Sequence, residues 1–127
     1  SDMALHIKTL EIIFSLYLPS LTDMQKAVLK QTVIELYNQF GIFWDTDIRQ
    51  LKAADFPIME DLHSLIETKA EANPDNPVFR DLAMLLYDAA KGSDSFLWRP
   101  ILILFAWIPT VCKTQRTTSS GRSISIC

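Results

Sequence analysis

The chain has 127 residues, of which 49% are hydrophobic and only 3 are glycine, and its formal net charge is −3 at pH 7. This composition excludes a disordered chain, and the scarcity of glycine disfavours a turn-rich all-β fold. The charge is uneven, because 15 acidic and 8 basic residues precede Arg99, whereas the segment from Arg99 onward has 4 basic residues and no acidic ones. Phosphate binding needs clustered Lys and Arg, so we expect no direct binding of nucleic acid by the acidic part.

The first predicted helix runs from about Leu5 to Leu18 and ends at Pro19, which cannot continue a helix. Apolar residues recur along it at helical spacing. Ile12 and Leu16 widen the apolar sector, so the sequence predicts that this helix is buried on more than one side. The stripe expected to face the core consists of Leu10, Ile13, Phe14 and Tyr17.

The second predicted helix has clear signals at both ends. Thr22 precedes it, and Gln25 stands three residues later, as a capping box requires. Gly41 supplies the left-handed residue that commonly follows the last turn of a helix. The apolar stripe of this helix consists of Leu29, Val33, Leu36, Tyr37 and Phe40.

A long connection from Gly41 to Pro57 follows. Connections of this length usually contain structure of their own or serve a function, and a short helical piece is predicted at Ile48–Ala54. Two interpretations of its apolar residues stay open. They form the lid of a small core, which is the commoner case, or Phe43, Trp44 and Ile48 form an interaction surface.

Two further helices are predicted after this connection. The third spans about Ile58 to Ala72, with Pro57 at its start. The fourth begins with Asn76 as cap and Pro77 in the first position, and Gly92 closes it.

Four helices of this length can bury a shared core. We therefore predict an all-α fold, a compact bundle of about four helices with one long connecting loop and an irregular C-terminal tail. The helical domain is expected at residues 4–98, and an atypical segment at residues 99–127.

The sequence contains no recognisable catalytic or cofactor motif. Its three glycines are isolated, so no phosphate loop is present. His6 and His63 have no Cys or His partner at metal-binding spacing, and we interpret both as surface or packing residues. Cys112 lies in an apolar run without an evident base. We predict no catalytic, cofactor-binding or metal-binding residue, and no cofactor.

The segment after Trp98 differs in character from the rest. Ile101–Ile108 is an unbroken apolar run, too short to span a bilayer, and a buried strand there would need a partner strand. Translation in a shifted reading frame is another interpretation, because rebuilding codons across residue boundaries from Val111 onward permits an amphipathic, helix-like sequence. The alternative is a genuine, poorly ordered tail. The chain has only two cysteines, and both lie in this segment, so the helical part has no disulfide framework. This fits a reducing cytoplasm.

Three stretches together carry a family resemblance. They are Pro19–Asp23 leading into Ile34–Tyr37, Phe56–Leu62, and Gly92–Trp98. They resemble the cytoplasmic assembly ATPases of conjugative type IV secretion systems, especially those of Gram-positive mobile elements. In that family a RecA-like motor domain carries a helical insertion between its phosphate loop and its second acidic motif. The resemblance implies that residues 4–98 correspond to this insertion, and the shifted reading of the tail resembles the next segment of the family.

The resemblance also implies a function. The phosphate loop and the acidic motif would lie outside this chain, so it would be a non-catalytic fragment of an ATPase that drives pilus assembly or DNA transfer. Its expected partners are proteins, namely the remainder of the ATPase and other secretion-system components. The expected location is cytoplasmic, peripheral to the inner face of the membrane through those partners, without a transmembrane segment. The alternative is a free-standing all-α adaptor or regulatory protein.

Overall fold

The computed structural model describes residues 2–102, 115–117 and 123–125. The predicted all-α fold is confirmed: four long helices form the bundle, and α3 and α4 make its most extensive helix pair. No helix within the described residues is long and apolar enough to cross a membrane. The helices are α1 (Asp2–Tyr17), α2 (Asp23–Gln39), α3 (Met59–Ala72), α4 (Pro77–Lys91) and the short α5 (Ser95–Trp98).

The helix ends follow the local signals in the sequence. The backbone N–H of Gln25 donates to Thr22 Oγ1 at 3.1 Å, and the backbone N–H of Thr22 donates to Gln25 Oε1 at 2.9 Å, so the predicted capping box of α2 is confirmed. Gly41 follows α2 and has a φ of 78°, in the left-handed region of backbone conformation that favours glycine. Asn76 caps α4 through its side chain, with Pro77 in the first position.

The long connection contains two 3₁₀ turns, Ile48–Gln50 and Ala53–Asp55, in place of the single helical piece predicted there. Asp47 precedes the first turn, and its carboxylate accepts a hydrogen bond from the backbone N–H of Arg49 at 3.2 Å. Because Asp47 caps the first turn, the turn begins directly after it, and the side chain of Ile48 is buried in the core.

The core lies between α1, α2, α3 and α4. It includes Leu10 and Phe14 from α1, and most of the predicted stripe of α2. Phe40 is an exception, because it stands at the end of α2 and is exposed. The largest apolar side chains that are fully buried are Leu10, Leu29, Val33, Tyr37, Ile42, Met59, Leu62, Ile66, Leu82, Leu86 and Leu102.

The prediction that α1 is buried on more than one side is wrong. Ile12 is 55% exposed and Leu16 is 67% exposed, and Tyr17 from the expected core stripe is exposed as well. The described part of the chain buries one face of α1 and leaves this second apolar face without cover.

Packing of the helical domain continues past Trp98. The Arg99 carbonyl accepts a hydrogen bond from the backbone N–H of Met59 at 3.3 Å, and Leu102 is fully buried in the core. Ile101 and Leu102 are helical, so the strand interpretation fails for these two residues, and residues 103–108 lie outside the described part. Two three-residue strands, β1 (Gln115–Thr117) and β2 (Ser123–Ser125), pair in antiparallel fashion within the segment predicted to be irregular.

Candidate functional site

The first candidate surface is a tight turn that presents two aromatic side chains, at residues 43–46, which we name the aromatic turn. Phe43 is 50% exposed and Trp44 is 49% exposed. The backbone N–H of Phe43 donates to Thr46 Oγ1 at 2.9 Å, and the backbone N–H of Thr46 donates to the Phe43 carbonyl at 3.0 Å. These two bonds close the turn on itself and leave both rings on the outside.

Ile48, the third residue predicted for this surface, lies elsewhere. It is 3% exposed and belongs to the core cluster. The structure therefore brings Phe43 and Trp44 to the surface, whereas Ile48 anchors the connection from within. The acidic residue before Ile48 was the available signal, since Asp47 is the cap that starts the 3₁₀ turn.

The charges beside the aromatic turn are largely paired. Arg49 Nε lies 3.2 Å from Asp47 Oδ1 and 3.2 Å from Asp2 Oδ2, which ties the connection to the start of α1. The hydrogen bond from the Arg49 side chain lowers the pKa of the Asp47 carboxyl, and the same bond raises the pKa of Arg49. Within residues 2–102 no cation lies at ion-pair distance from Asp45, the residue after Trp44.

The second candidate surface is the uncovered face of α1. Leu5, Ile12 and Leu16 stand at i, i+7 and i+11, a spacing that places them on one side of the helix. Tyr17, the residue after Leu16, shares a shallow apolar depression of about 260 Å³ with Leu97 of α5. We name this surface the α1–α5 face; its exposed members are Leu5, Ile12, Leu16, Tyr17 and Leu97.

The aromatic cluster beside this face fixes α5 on α1. The Trp98 ring stacks on Phe14 with 6.2 Å between ring centroids and 6° between planes, and Tyr17 meets Trp98 edge-on at 6.2 Å. The sequence indicated neither α5 nor the exposure of Phe96, because a four-residue helix leaves no periodic pattern.

The two histidines are buried packing residues. His63 Nε2 lies 2.9 Å from the Ala83 carbonyl, which joins α3 to α4. His6 Nε2 lies 2.7 Å from Tyr37 Oη, between α1 and α2. In the part of the chain that the structure describes, no group of three or more His, Cys, Asp or Glu side chains is placed to hold a metal ion.

Comparison with known proteins gives a match to a solved structure. The chain is similar to VirB4 of Thermoanaerobacter pseudethanolicus, with 45% sequence identity and a TM-score of 0.69. The match covers 75% of this chain and 34% of that one, so the chain spans about a third of the VirB4 chain that it matches. No family model matches the sequence, and no curated protein matches it significantly.

Proposed function

We propose, from the premise that this chain is VirB4-like and so resembles part of a type IV secretion ATPase, that it is a non-catalytic helical domain for protein contacts. The observation that carries this proposal is the 45% identity to VirB4 over three quarters of the chain. The machinery served would be that of conjugation, in pilus assembly or DNA transfer. The three glycines of this chain are isolated and form no phosphate loop. ATP hydrolysis would therefore belong to other parts of a VirB4-like protein.

The contact proposed for this domain is between the α1–α5 face and the remainder of a VirB4-like protein. An apolar helix face normally has cover, and the described residues cover only one of the two apolar faces of α1. The chain corresponds to 34% of the VirB4 chain, so most of a VirB4-like protein is left to supply that cover. Apolar burial would drive the contact, at about 25 cal/mol per Å² removed from water.

In the proposed arrangement the chain would lie in the cytoplasm, peripheral to the inner face of the membrane through its partners. The remainder of the ATPase and other secretion-system components are the proposed partners. The acidic balance of residues 1–98 supports protein partners over nucleic acid, because phosphate contacts need basic side chains.

A chimeric VirB4 tests the proposal. Residues 2–102 of this chain replace the matched segment of the Thermoanaerobacter protein, and ATP hydrolysis and the Tm of the chimera are measured. We expect hydrolysis close to that of the parent VirB4. The double change Ile12→Ser and Leu16→Ser should lower the Tm and the hydrolysis rate, because it places two hydroxyls in the apolar contact.

Met84→Ser is the matched control, since Met84 is exposed on α4, outside the α1–α5 face. It should leave both measurements unchanged. If the chimera folds and hydrolyses ATP equally well with Ile12→Ser and Leu16→Ser, the proposed contact is wrong. An inactive chimera, together with a monodisperse isolated chain that does not bind the dye ANS, would favour the free-standing adaptor instead.

A further inference from the structure

We propose that the aromatic turn docks a segment of another protein in which a Lys or Arg stands beside an aliphatic side chain. This contact is separate from the α1–α5 face, so it holds whether or not that face packs on the remainder of a VirB4-like protein. The argument rests on three properties of the turn: its rigidity, its exposed aromatic area and its charge.

The aromatic turn is already rigid before any partner binds. The two hydrogen bonds between Phe43 and Thr46 close it, and the buried residues Ile42 and Ile48 hold it from either side. Binding to a turn of this kind costs little additional backbone ordering. The backbone that carries both rings is thus fixed, which favours a specific docking surface.

The exposed aromatic area is contributed by neighbouring positions. Phe40, 41% exposed, ends α2 three residues before Phe43, and the half-exposed Trp44 follows. Trp is the side chain most enriched at the energetic centres of protein interfaces, because it offers a large apolar area at a small entropy cost. An aliphatic side chain of the partner would cover this area.

The Asp45 carboxylate beside the rings favours a cationic side chain, Lys or Arg, on the partner. Arg49 is held by Asp47 and Asp2, so the nearest arginine along the chain is already neutralised. Asp45 has no cation within ion-pair distance in residues 2–102 and adjoins Trp44. A Lys or Arg of the partner would pair with the Asp45 carboxylate and lie over the Trp44 ring, where the ring quadrupole attracts a cation.

The test uses the full chain labelled with 5-fluorotryptophan and ¹⁹F NMR, with the Trp44 signal assigned through Trp44→Phe. The probe is the peptide acetyl-Leu-Arg-Leu-Arg-Leu-amide, and the matched control peptide has Glu in place of Arg. We expect a saturable shift of the Trp44 signal with the basic peptide only, weakened by added salt.

Variants separate the contributions of ring and charge. Phe43→Ala should weaken binding of the basic peptide about tenfold, as removal of an aromatic anchor does. Asp45→Asn should weaken it about two- to fivefold, as expected for an exposed ion pair, and it preserves the shape of the side chain. Met84→Ala, an exposed apolar residue on α4, should leave the affinity unchanged.

Several outcomes would overturn this proposal. Equal binding of the acidic peptide, or equal affinity of Asp45→Asn, would remove the charge argument. A Trp44 signal that moves with protein concentration would indicate a second copy as occupant. A shift caused without peptide by neutralising Lys113, Arg116 and Arg122 would indicate the chain's own tail. Ile12→Ser with Leu16→Ser should not alter peptide binding, so failure here is distinct from failure of the α1–α5 contact.

Discussion

The Leu102 carbonyl is held by two buried side chains that come from different helices. Tyr37 Oη donates to it at 2.8 Å, and His6 Nε2 lies 3.1 Å from it and 2.7 Å from Tyr37 Oη. The Leu102 carbonyl oxygen can only accept hydrogen bonds, and Tyr37 Oη already donates to it. His6 Nε2 can therefore bond either oxygen as a donor when it carries the imidazole proton. We name this group the Leu102 clasp, and it joins α1, α2 and the residues after α5.

Tyr37→Phe tests the energetic value of the Leu102 clasp. The substitution keeps the ring and removes the donor, so we expect the free energy of unfolding to fall by about 1–3 kcal/mol. Urea denaturation followed by circular dichroism measures this change. Tyr17→Phe is the control, since Tyr17 is exposed, and it should change the free energy by less than about 0.5 kcal/mol. A loss below that value at Tyr37 would contradict a role for the clasp in stability.

The same tyrosine makes stability depend on alkaline pH. Burial raises the pKa of Tyr37 above its usual value of 10.0, because a phenolate is poorly solvated in the core. The unfolded chain therefore releases this proton at a pH where the folded chain retains it. The stabilising contribution is complete below pH 10 and is lost as the pH rises above it, by about 1.4 kcal/mol per pH unit. Urea titrations between pH 9 and pH 11 should show stability falling more steeply as the pH passes 10, toward this limiting slope, and Tyr37→Phe should reduce the fall.

At the scale of the helices, local signals predicted most boundaries correctly. Thr22 with Gln25, and Asn76 with Pro77, stand next to the backbone groups that they satisfy, so sequence alone reveals them. Gly41 is likewise a local requirement of the backbone. The resemblance to type IV secretion ATPases rests on short stretches of this kind, and the VirB4 match confirms it.

What the sequence missed depends on contacts between residues that are distant in the chain. The apolar pattern of α1 predicts burial on two sides, whereas the described residues bury one. The sequence predicts a helical piece that begins at Ile48, but it does not show that the 3₁₀ turn there directs the Ile48 side chain into the core. Leu102 falls in a run whose periodicity fits neither a helix nor a half-buried strand, so its place in the core was unforeseen.

The capping box of α2 gives a prediction at this scale. Thr22→Ala removes the acceptor for the backbone N–H of Gln25, and we expect a loss of about 1 kcal/mol in the free energy of unfolding. Thr68→Ala is the matched control. Thr68 is a solvent-exposed residue in the middle of α3, and its hydroxyl donates a hydrogen bond to the Ser64 carbonyl. Alanine is the better helix former there, so this variant should be neutral or slightly stabilising. Thermal unfolding of the two variants measures the difference, and equal Tm values would contradict the prediction.

For the molecule as a whole, the proposed division of labour in a VirB4-like protein predicts that this chain does not bind nucleotide. Isothermal titration of the full chain with Mg·ATP should give only heats of dilution. Phosphate binding needs a cradle of backbone N–H groups and a basic side chain, and the sequence contains no phosphate loop to supply them. VirB4 of Thermoanaerobacter pseudethanolicus, titrated under the same conditions, is the positive control. A saturable heat with this chain would show that the non-catalytic assignment is wrong.

The Leu102 clasp also bears on how the protein is made. His6 and Leu102 are 96 residues apart in the chain. A ribosome adds about 5–20 residues per second, so the imidazole is synthesised about 5–20 s before the carbonyl that it contacts. Throughout that interval the side chains of Tyr37 and His6 lack the carbonyl that both contact in the folded chain. The last residue of the described helical domain to leave the ribosome is therefore the one that completes the buried polar network of the first two helices.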